Sequence, residues 1–390
     1  MKLPRVLVVH NRYQSEGGED AVVADEAALL RDRGHAVHLY VRDNRELRNM
    51  SALDAFTQAV WARRTAADLK RIVGAFRPDV VHLHNTFALV SSSAQWTAAA
   101  AGIPVVQTLH NFRLLCVQAM FLHAGRLCED CLGRVPWRGV LRRCYHDSAR
   151  QSAALAAMLG VHRALGTYRN KVTRYIALTE FCRRKFIAGG LPAAKIVVKP
   201  NFVDADPPPD EPRSGALFVG RLAPEKGLGT LLAALDELPG FTLEVIGDGP
   251  ERARVAAHPR VRLLGWRSPQ EVRERMARAA YLVMPSVWYE NFPRTLVEAF
   301  ACGLPVIASR LGALLELVDH GFTGLLAEPG SARELARQIR WAETFPEKMR
   351  RMGEHARAIY EVEFTPRVNY ERLVAIYADA IAATRMRAAG

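Results

Sequence analysis

The sequence predicts an α/β protein made of two doubly wound domains, and three observations predict it. Short apolar runs alternate with amphipathic stretches through both halves of the chain. The alternation breaks at 200–214, PNFVDADPPPDEPRS, which is too rich in proline and aspartate for a helix or a central strand. After the break the pattern restarts, and 390 residues are enough for two full cores.

In the first half, strands are expected at 5–10, 36–41, 79–83, 104–109 and 174–178. The intervening helices 20–33 and 91–101 end at Gly34 and Gly102, residues suited to a left-handed cap. In the second half, strands are expected at 215–219, 242–246, 261–264, 281–284 and 304–307. The map is a first domain at 1–200 with an insertion at 112–150, a linker at 201–214, and a second domain at 215–365. A C-terminal helix at 366–390, amphipathic through Val368, Leu373, Ile376 and Tyr377, is expected to cross back to the first domain. Two such domains would face each other across a cleft, with ligands at the carboxyl ends of the strands.

Charge is unevenly spread. Residues 1–200 hold 29 Lys and Arg against 15 Asp and Glu, or +14, whereas 201–390 hold 24 against 25, or −1. Within the first half, 113–199 alone carries 16 basic and 4 acidic residues, or +12. A local excess of this size points to an anionic partner or to a solvated arginine-rich surface. The basic-plus-aromatic modules of nucleic-acid binders are missing, so no nucleic-acid partner is expected. A membrane surface or a lipid phosphate fits the excess. No apolar run reaches the roughly 18 residues of a membrane span. The N-terminal MKLPRVLVVH reads as a strand, so a cytoplasmic protein is expected, peripheral at most to the membrane.

The most informative stretch is 285–309, PSVWYENFPRTLVEAFACGLPVIAS. Glu290 falls in the loop after a strand, and Glu298 about one turn into the helix that follows Pro293. A helix start offers backbone N–H groups to an anion such as phosphate, and a carboxylate further along can accept from a diol. Arg221 and Lys226 lie five apart in VGRLAPEKG, on a turn leading into a helix expected at 226–237. They either converge on a diphosphate or merely cap that helix. Gly247-Asp248-Gly249 reads as a tight turn, short of a dinucleotide fingerprint.

Near the N-terminus, Glu16-Gly17-Gly18-Glu19-Asp20 joins the first strand to the first helix, where paired glycines admit close approach to backbone N–H groups. His84-Asn85 and His110-Asn111 each follow a strand end, on the same edge as that loop. His82-x-His84 alternates along a strand with no carboxylate or third ligand in view, so a metal pair is not read there. Asp204-Ala205-Asp206 is taken as linker chemistry. Cys116, Cys128, Cys131 and Cys144, spaced C-x11-C-x2-C-x12-C, could hold a structural zinc, the alternatives being a redox pair or plain thiols. Cys182 and Cys302 are expected to be small core residues.

Taken in order, the glycine loop, His110, Pro200-Asn201-x-Val203-Asp204, Gly220-Arg221…Glu225-Lys226-Gly227, Gly247-Asp248-Gly249 and Glu290-x7-Glu298 resemble the family 4 glycosyltransferases of GT-B fold. The resemblance covers nearly the whole chain except the cysteine insertion, and Phe202 departs from the glycine usual after Pro-Asn. It implies a retaining transferase that takes a nucleoside-diphosphate sugar, works without a catalytic metal, and delivers the sugar to a glycan or lipid-linked acceptor in bacterial polysaccharide or glycolipid synthesis. The implied catalytic residues are Glu290, Arg221, Lys226 and His110. The implied donor set is Gly17, Gly18, Arg221, Lys226, Asn291, Phe292, Pro293, Thr295, Leu296 and Glu298. In it Glu290 meets sugar hydroxyls and Glu298 the ribose, while the amides of Phe292, Thr295 and Leu296 assist the cations. The glycine loop and His110 line the acceptor side. A nucleotide-sugar epimerase or a phosphorylase of the same fold is the nearest rival, and a non-catalytic anion-binding α/β protein the more distant one.

Overall fold

The computed structural model of the chain describes residues 3–14, 17–206 and 212–389, so Glu16 and linker positions 207–211 lie outside the described residues. The chain divides into two compact units. The first comprises Met1–Met120, Glu129–Pro200 and Asn369–Gly390, the second Phe121–Cys128 and Asn201–Val368.

The first unit holds β1 (Val6–Arg12), β2 (Val37–Asp43), β3 (Val80–Leu83) and β4 (Val105–Leu109). A two-residue pair, β5 (Leu122–His123) and β6 (Arg126–Leu127), follows in the chain and belongs to the second unit. β7 (Arg174–Ala177) and β8 (Ile196–Val198) complete the first sheet, in the order β2-β1-β3-β4-β7-β8 with every pairing parallel. β1 and β2 run two residues past their expected ends because their register is unbroken from Val6 opposite Val37 to Arg12 opposite Asp43. The three-residue β8 carries too little periodicity to be seen in the sequence. Leu373, Ile376, Tyr377 and Ala380 of the helix Pro366–Ala389 share one core with Val6, Val8, Val80 and Ile176, so this helix covers the first sheet.

The second unit holds β9 (Ala216–Val219), β10 (Leu243–Ile246), β11 (Val261–Gly265), β12 (Tyr281–Met284), β13 (Val306–Ser309) and β14 (Gly324–Ala327). Their order is β11-β10-β9-β12-β13-β14, again all parallel. Leu228, Leu231 and Leu235 of the helix Leu228–Asp236 pack with Val245, Val283 and Ile307 in its core. That helix starts two residues later than expected. Pro224–Lys226 forms a 3-10 turn instead, and Gly227 takes a φ of 75°, a left-handed value that a side chain resists.

Candidate active site

In the second unit β9 lies between β10 and β12, so the strand order reverses beside it. The carboxyl ends of the strands at such a point form a crevice. The loops after β9 and β12 meet there. Val287 N–H donates to Glu225 O at 3.0 Å, and a Cβ on Gly227 would stand 1.8 Å from Pro285 O. Only glycine allows that approach. The β10 loop is as close, since a Cβ on Gly247 would fall 1.9 Å from Gly220 O. Gly247-Asp248-Gly249 is thus a packing turn that seats the β9 loop, and Leu222 N–H donates to Asp248 O at 2.8 Å.

These contacts bring Lys226 and Glu290 together. Glu290 Oε1 accepts from Lys226 Nζ at 2.6 Å, Ser286 Oγ at 2.8 Å and Trp288 Nε1 at 3.0 Å. The Glu290 carboxylate is buried, and the three side-chain bonds that it accepts all fall on Oε1. One oxygen is therefore fixed by three donors, and the other is left to accept from hydroxyls. Arg221 is more exposed and pairs with Glu225. Glu298 Oε1 accepts from Arg294 Nε at 3.0 Å across one turn of the helix Arg294–Ala301. At the start of that helix the amides of Phe292 and Thr295 have no acceptor among the described residues. The Leu296 amide already donates to Pro293 O at 3.0 Å, which corrects its expected place among the anion-binding donors. Phe292, Asn291 and Leu296 are buried side chains.

In the first unit the carboxyl ends of β1, β3 and β4 gather a second polar group. His84 N–H donates to Val9 O at 3.0 Å and Asn11 N–H to Asn85 O at 2.9 Å, which seats the loops after β1 and β3 side by side. Gly17 and Gly18 are exposed at the start of the helix Gly18–Asp32, and Asp20 Oδ2 accepts the Gly17 N–H at 2.9 Å. Asp20 Oδ1 meets His10 Nε2 at 2.8 Å. Burial works to raise the Asp20 carboxyl, but the bonds from His10 and Gly17 hold it below its ordinary range. Asn111 Nδ2 donates to Tyr13 OH at 2.9 Å and to Glu19 Oε1 at 3.0 Å, while burial pushes the Glu19 carboxyl up.

His110 stacks on His84 with 5.2 Å between ring centroids, and the two rings share a 2.9 Å contact from His84 Nδ1 to His110 Nε2. Behind them Glu26 and Lys199 form a buried ion pair at 2.6 Å. Burial, reinforced by the neighbouring histidines and Lys199, lowers His84 well below its ordinary value and His110 to about 3. His82, also buried, falls to about 4 despite the Glu26 charge.

Sequence reasoning missed Glu26, whose carboxylate approaches His82 and His84. It comes from a helix 56 positions upstream of His82, which corrects the reading that no carboxylate was in view. The signal was present, since Glu26 shares the buried stripe Val22, Val23, Ala27, Leu30, where a lone charge demands a partner. Lys199, Ser286 and Trp288 gave no such signal. Cys116, Cys128, Cys131 and Cys144 form no disulfide, and they do not make up a group of three or more ligand atoms within 4.8 Å. Cys182 and Cys302 are buried, and burial raises the Cys302 thiol to about 11.

The two Rossmann-like sheets define a GT-B α/β protein. Residues 16–207 match the family described as Glycosyltransferase Family 4, and residues 202–359 match the one described as glycosyl transferases group 1. The chain belongs to the family 4 glycosyltransferases. It is 34% identical over 164 residues to an uncharacterized glycosyltransferase of Methanocaldococcus jannaschii, a match covering 40% of this chain and only 45% of that protein. It is 29% identical to the 2-deoxystreptamine glucosyltransferase of Streptomyces kanamyceticus, over 80% of this chain and 81% of the relative. The crystal structure of the Anabaena protein HepE in complex with UDP superposes with a TM-score of 0.68 at 20% identity, covering 96% of this chain and 99% of that one.

Proposed function

We propose that the protein transfers a sugar, with retention at the anomeric carbon, from a nucleoside-diphosphate sugar to a glycan or lipid-linked acceptor. The observation that carries this reading is the Lys226–Glu290 contact at the strand-order reversal of the second unit. There a cation and a half-used carboxylate stand together beside a helix start, the set needed for a diphosphate joined to a polyhydroxylated ring. The structure of HepE with UDP supports such a donor.

In this reading Lys226 and Arg221 neutralise the charge that grows on the leaving diphosphate, and the Phe292 and Thr295 amides add two fixed dipoles. Donors aimed at developing charge are typically worth about 10²–10³ in rate each. Glu290 Oε2 orients the donor sugar through its hydroxyls and Glu298 accepts from the ribose. Neither carboxylate acts as a nucleophile. The diphosphate leaves from the face on which the acceptor arrives and assists in removing the acceptor proton. The first unit, with Gly17, Gly18 and His110, binds the acceptor.

The basic excess of the first half suits an anionic lipid surface as the place where the acceptor is met. In the insertion Val135, Trp137 and Leu141 are 60%, 53% and 73% exposed, among Arg134, Arg138, Arg142 and Arg143. Among the described residues no helix is long and apolar enough to cross a membrane, and the contact proposed is a peripheral one through this insertion. A structural zinc on the four insertion cysteines is a separate proposal that rests on their C-x2-C spacing alone, and elemental analysis of purified protein tests it. The transfer reading is tested by incubating the enzyme with nucleoside-diphosphate sugars and glycolipid acceptors. Release of free nucleotide together with a retained-anomer product is the expected outcome. Conversion of the donor to an epimer without any acceptor would contradict it.

A further inference from the structure

We infer that Glu26 and His84 act as positioning residues that lock His110 in the tautomer carrying its hydrogen on Nε2, so that His110 Nδ1 accepts a hydrogen bond from a substrate hydroxyl. This deepens the acceptor-side role proposed above and rests on it.

Glu26 Oε1 is held by the Lys199 ammonium at 2.6 Å, so Glu26 is a carboxylate and can only accept. Its Oε2 is buried with no hydrogen-bond partner, and so is His84 Nε2. Each is a near polar neighbour of the other, at 3.5 Å. Two lone pairs facing each other in a dry interior repel, so the hydrogen of neutral His84 sits on Nε2, toward the carboxylate. Its Nδ1 is then a bare acceptor. That nitrogen lies 2.9 Å from His110 Nε2, which must therefore supply the hydrogen. His110 stays neutral because burial, with His10, His82 and Lys199 acting in the same direction, holds it well below its ordinary value. Its remaining nitrogen, Nδ1, thus carries a lone pair, and among the described residues nothing in the protein donates to it. His110 is half-buried at the carboxyl edge of the first sheet, where a ligand can reach it.

The consequence is chemical selection. A protonated His110 would attract phosphate, whereas a neutral ring offering only a lone pair accepts from a hydroxyl hydrogen and rejects an oxyanion. The ligand group met at His110 is accordingly a sugar or polyol hydroxyl. Glu26, His82 and His84 could also be taken for a metal site. Two facts oppose it. The Lys199 ammonium already holds Glu26 Oε1 and supplies a positive charge beside the carboxylate, and both His82 nitrogens are engaged, with Tyr377 OH and Thr108 Oγ1 at 2.8 Å each.

Nitrogen-15 NMR of histidine-labelled protein tests the assignment without any turnover assay, so its outcome is independent of the transferase reading. His110 is assigned by comparison with His110→Gln. At pH 7 the expected pattern is a pyrrole-type shift at Nε2 and a pyridine-type shift at Nδ1. In Glu26→Gln the amide oxygen should stay on Lys199 and its NH2 should donate to His84 Nε2, which moves the hydrogen of each ring to its other nitrogen and exchanges the two His110 shifts. A hydrogen on Nδ1 in the wild-type protein would overturn the inference, as would an unchanged His110 pattern in folded Glu26→Gln. A stoichiometric metal in the purified protein with metal-shifted His82 and His84 signals would overturn it as well. If Glu26→Gln does not fold, the wild-type pattern alone decides.

Discussion

At the scale of single residues, the second unit's chemistry rests on Glu290 Oε1 collecting three donors while Oε2 stays open to hydroxyls. Glu290→Gln replaces one acceptor oxygen by an NH2 that clashes with donors, so turnover should fall by about 10²-fold or more with the fold intact. Glu298→Gln should instead weaken nucleotide binding by about tenfold, about 1.4 kcal/mol, read by calorimetric titration. Equal effects of both variants on binding would contradict the division of labour. In the first unit, the Lys199–Glu26 pair is fully buried. Lys199→Met strands a carboxylate and should cost about 3–5 kcal/mol in a denaturant titration. A loss below about 1 kcal/mol would show that the pair is relaxed by water. The buried histidines set a pH dependence whose sign follows from linkage. His82 at about 4 and His110 at about 3 lie below the ordinary value near 6.5, so the unfolded chain binds protons that the folded one refuses. Their stabilisation is complete above about pH 6.5 and is lost as pH falls, down to about 4 for His82 and about 3 for His110, by up to about 1.4 kcal/mol per pH unit per group. Flat stability between pH 7 and pH 4.5 would contradict this burial.

At the scale of elements, glycines decide how close the loops stand. Gly227→Ala would drive a methyl into Pro285 O and, at a φ of 75°, strain the backbone too. The expected outcome is a stability loss of about 1–3 kcal/mol with a larger loss of nucleotide affinity, because the β9 and β12 loops must separate. The helix Pro366–Ala389 is tied to the first sheet through Tyr377, whose OH meets His82 Nδ1 at 2.8 Å. Tyr377→Phe should therefore cost about 1 kcal/mol. This scale also shows what was legible in the sequence. Ten of the strands stand out as apolar runs between turn residues, because parallel strands buried on both faces have that pattern. The two-residue β5 and β6 and the three-residue β8 did not, being short, and neither did the edge strand β14. The loop that carries Glu290 and the turn that carries Lys226 were each legible as local motifs, and the fold brings these two side chains together, whereas Arg221 pairs with Glu225 and Glu298 with Arg294. The Glu26–His84–His110 chain was not legible as a unit. It joins a helix face to two strand ends, and only the register of β1, β3 and β4 brings them together.

At the scale of the whole molecule, charge is divided as the sequence is: +14 over residues 1–200 and −1 over the rest. Binding to vesicles containing anionic lipid should therefore weaken as salt rises from 0.05 M toward about 0.5 M, where exposed charges are screened. Trp137→Ala should lower it further at every salt concentration. Equal binding to neutral vesicles would contradict the electrostatic account. The donor site of the second unit depends on Lys226 and Glu290 together holding a nucleoside-diphosphate sugar. It is tested most directly by thermal melts over a panel of nucleoside diphosphates and their sugars, run on the wild-type protein and on Lys226→Ala. A ligand at about 100 times its Kd should add about 2.7 kcal/mol of stability, several degrees in Tm. The predicted result is such a shift with at least one nucleoside diphosphate in the wild-type protein, and its loss in folded Lys226→Ala. No shift with any of them, or a shift that Lys226→Ala leaves unchanged, would contradict it.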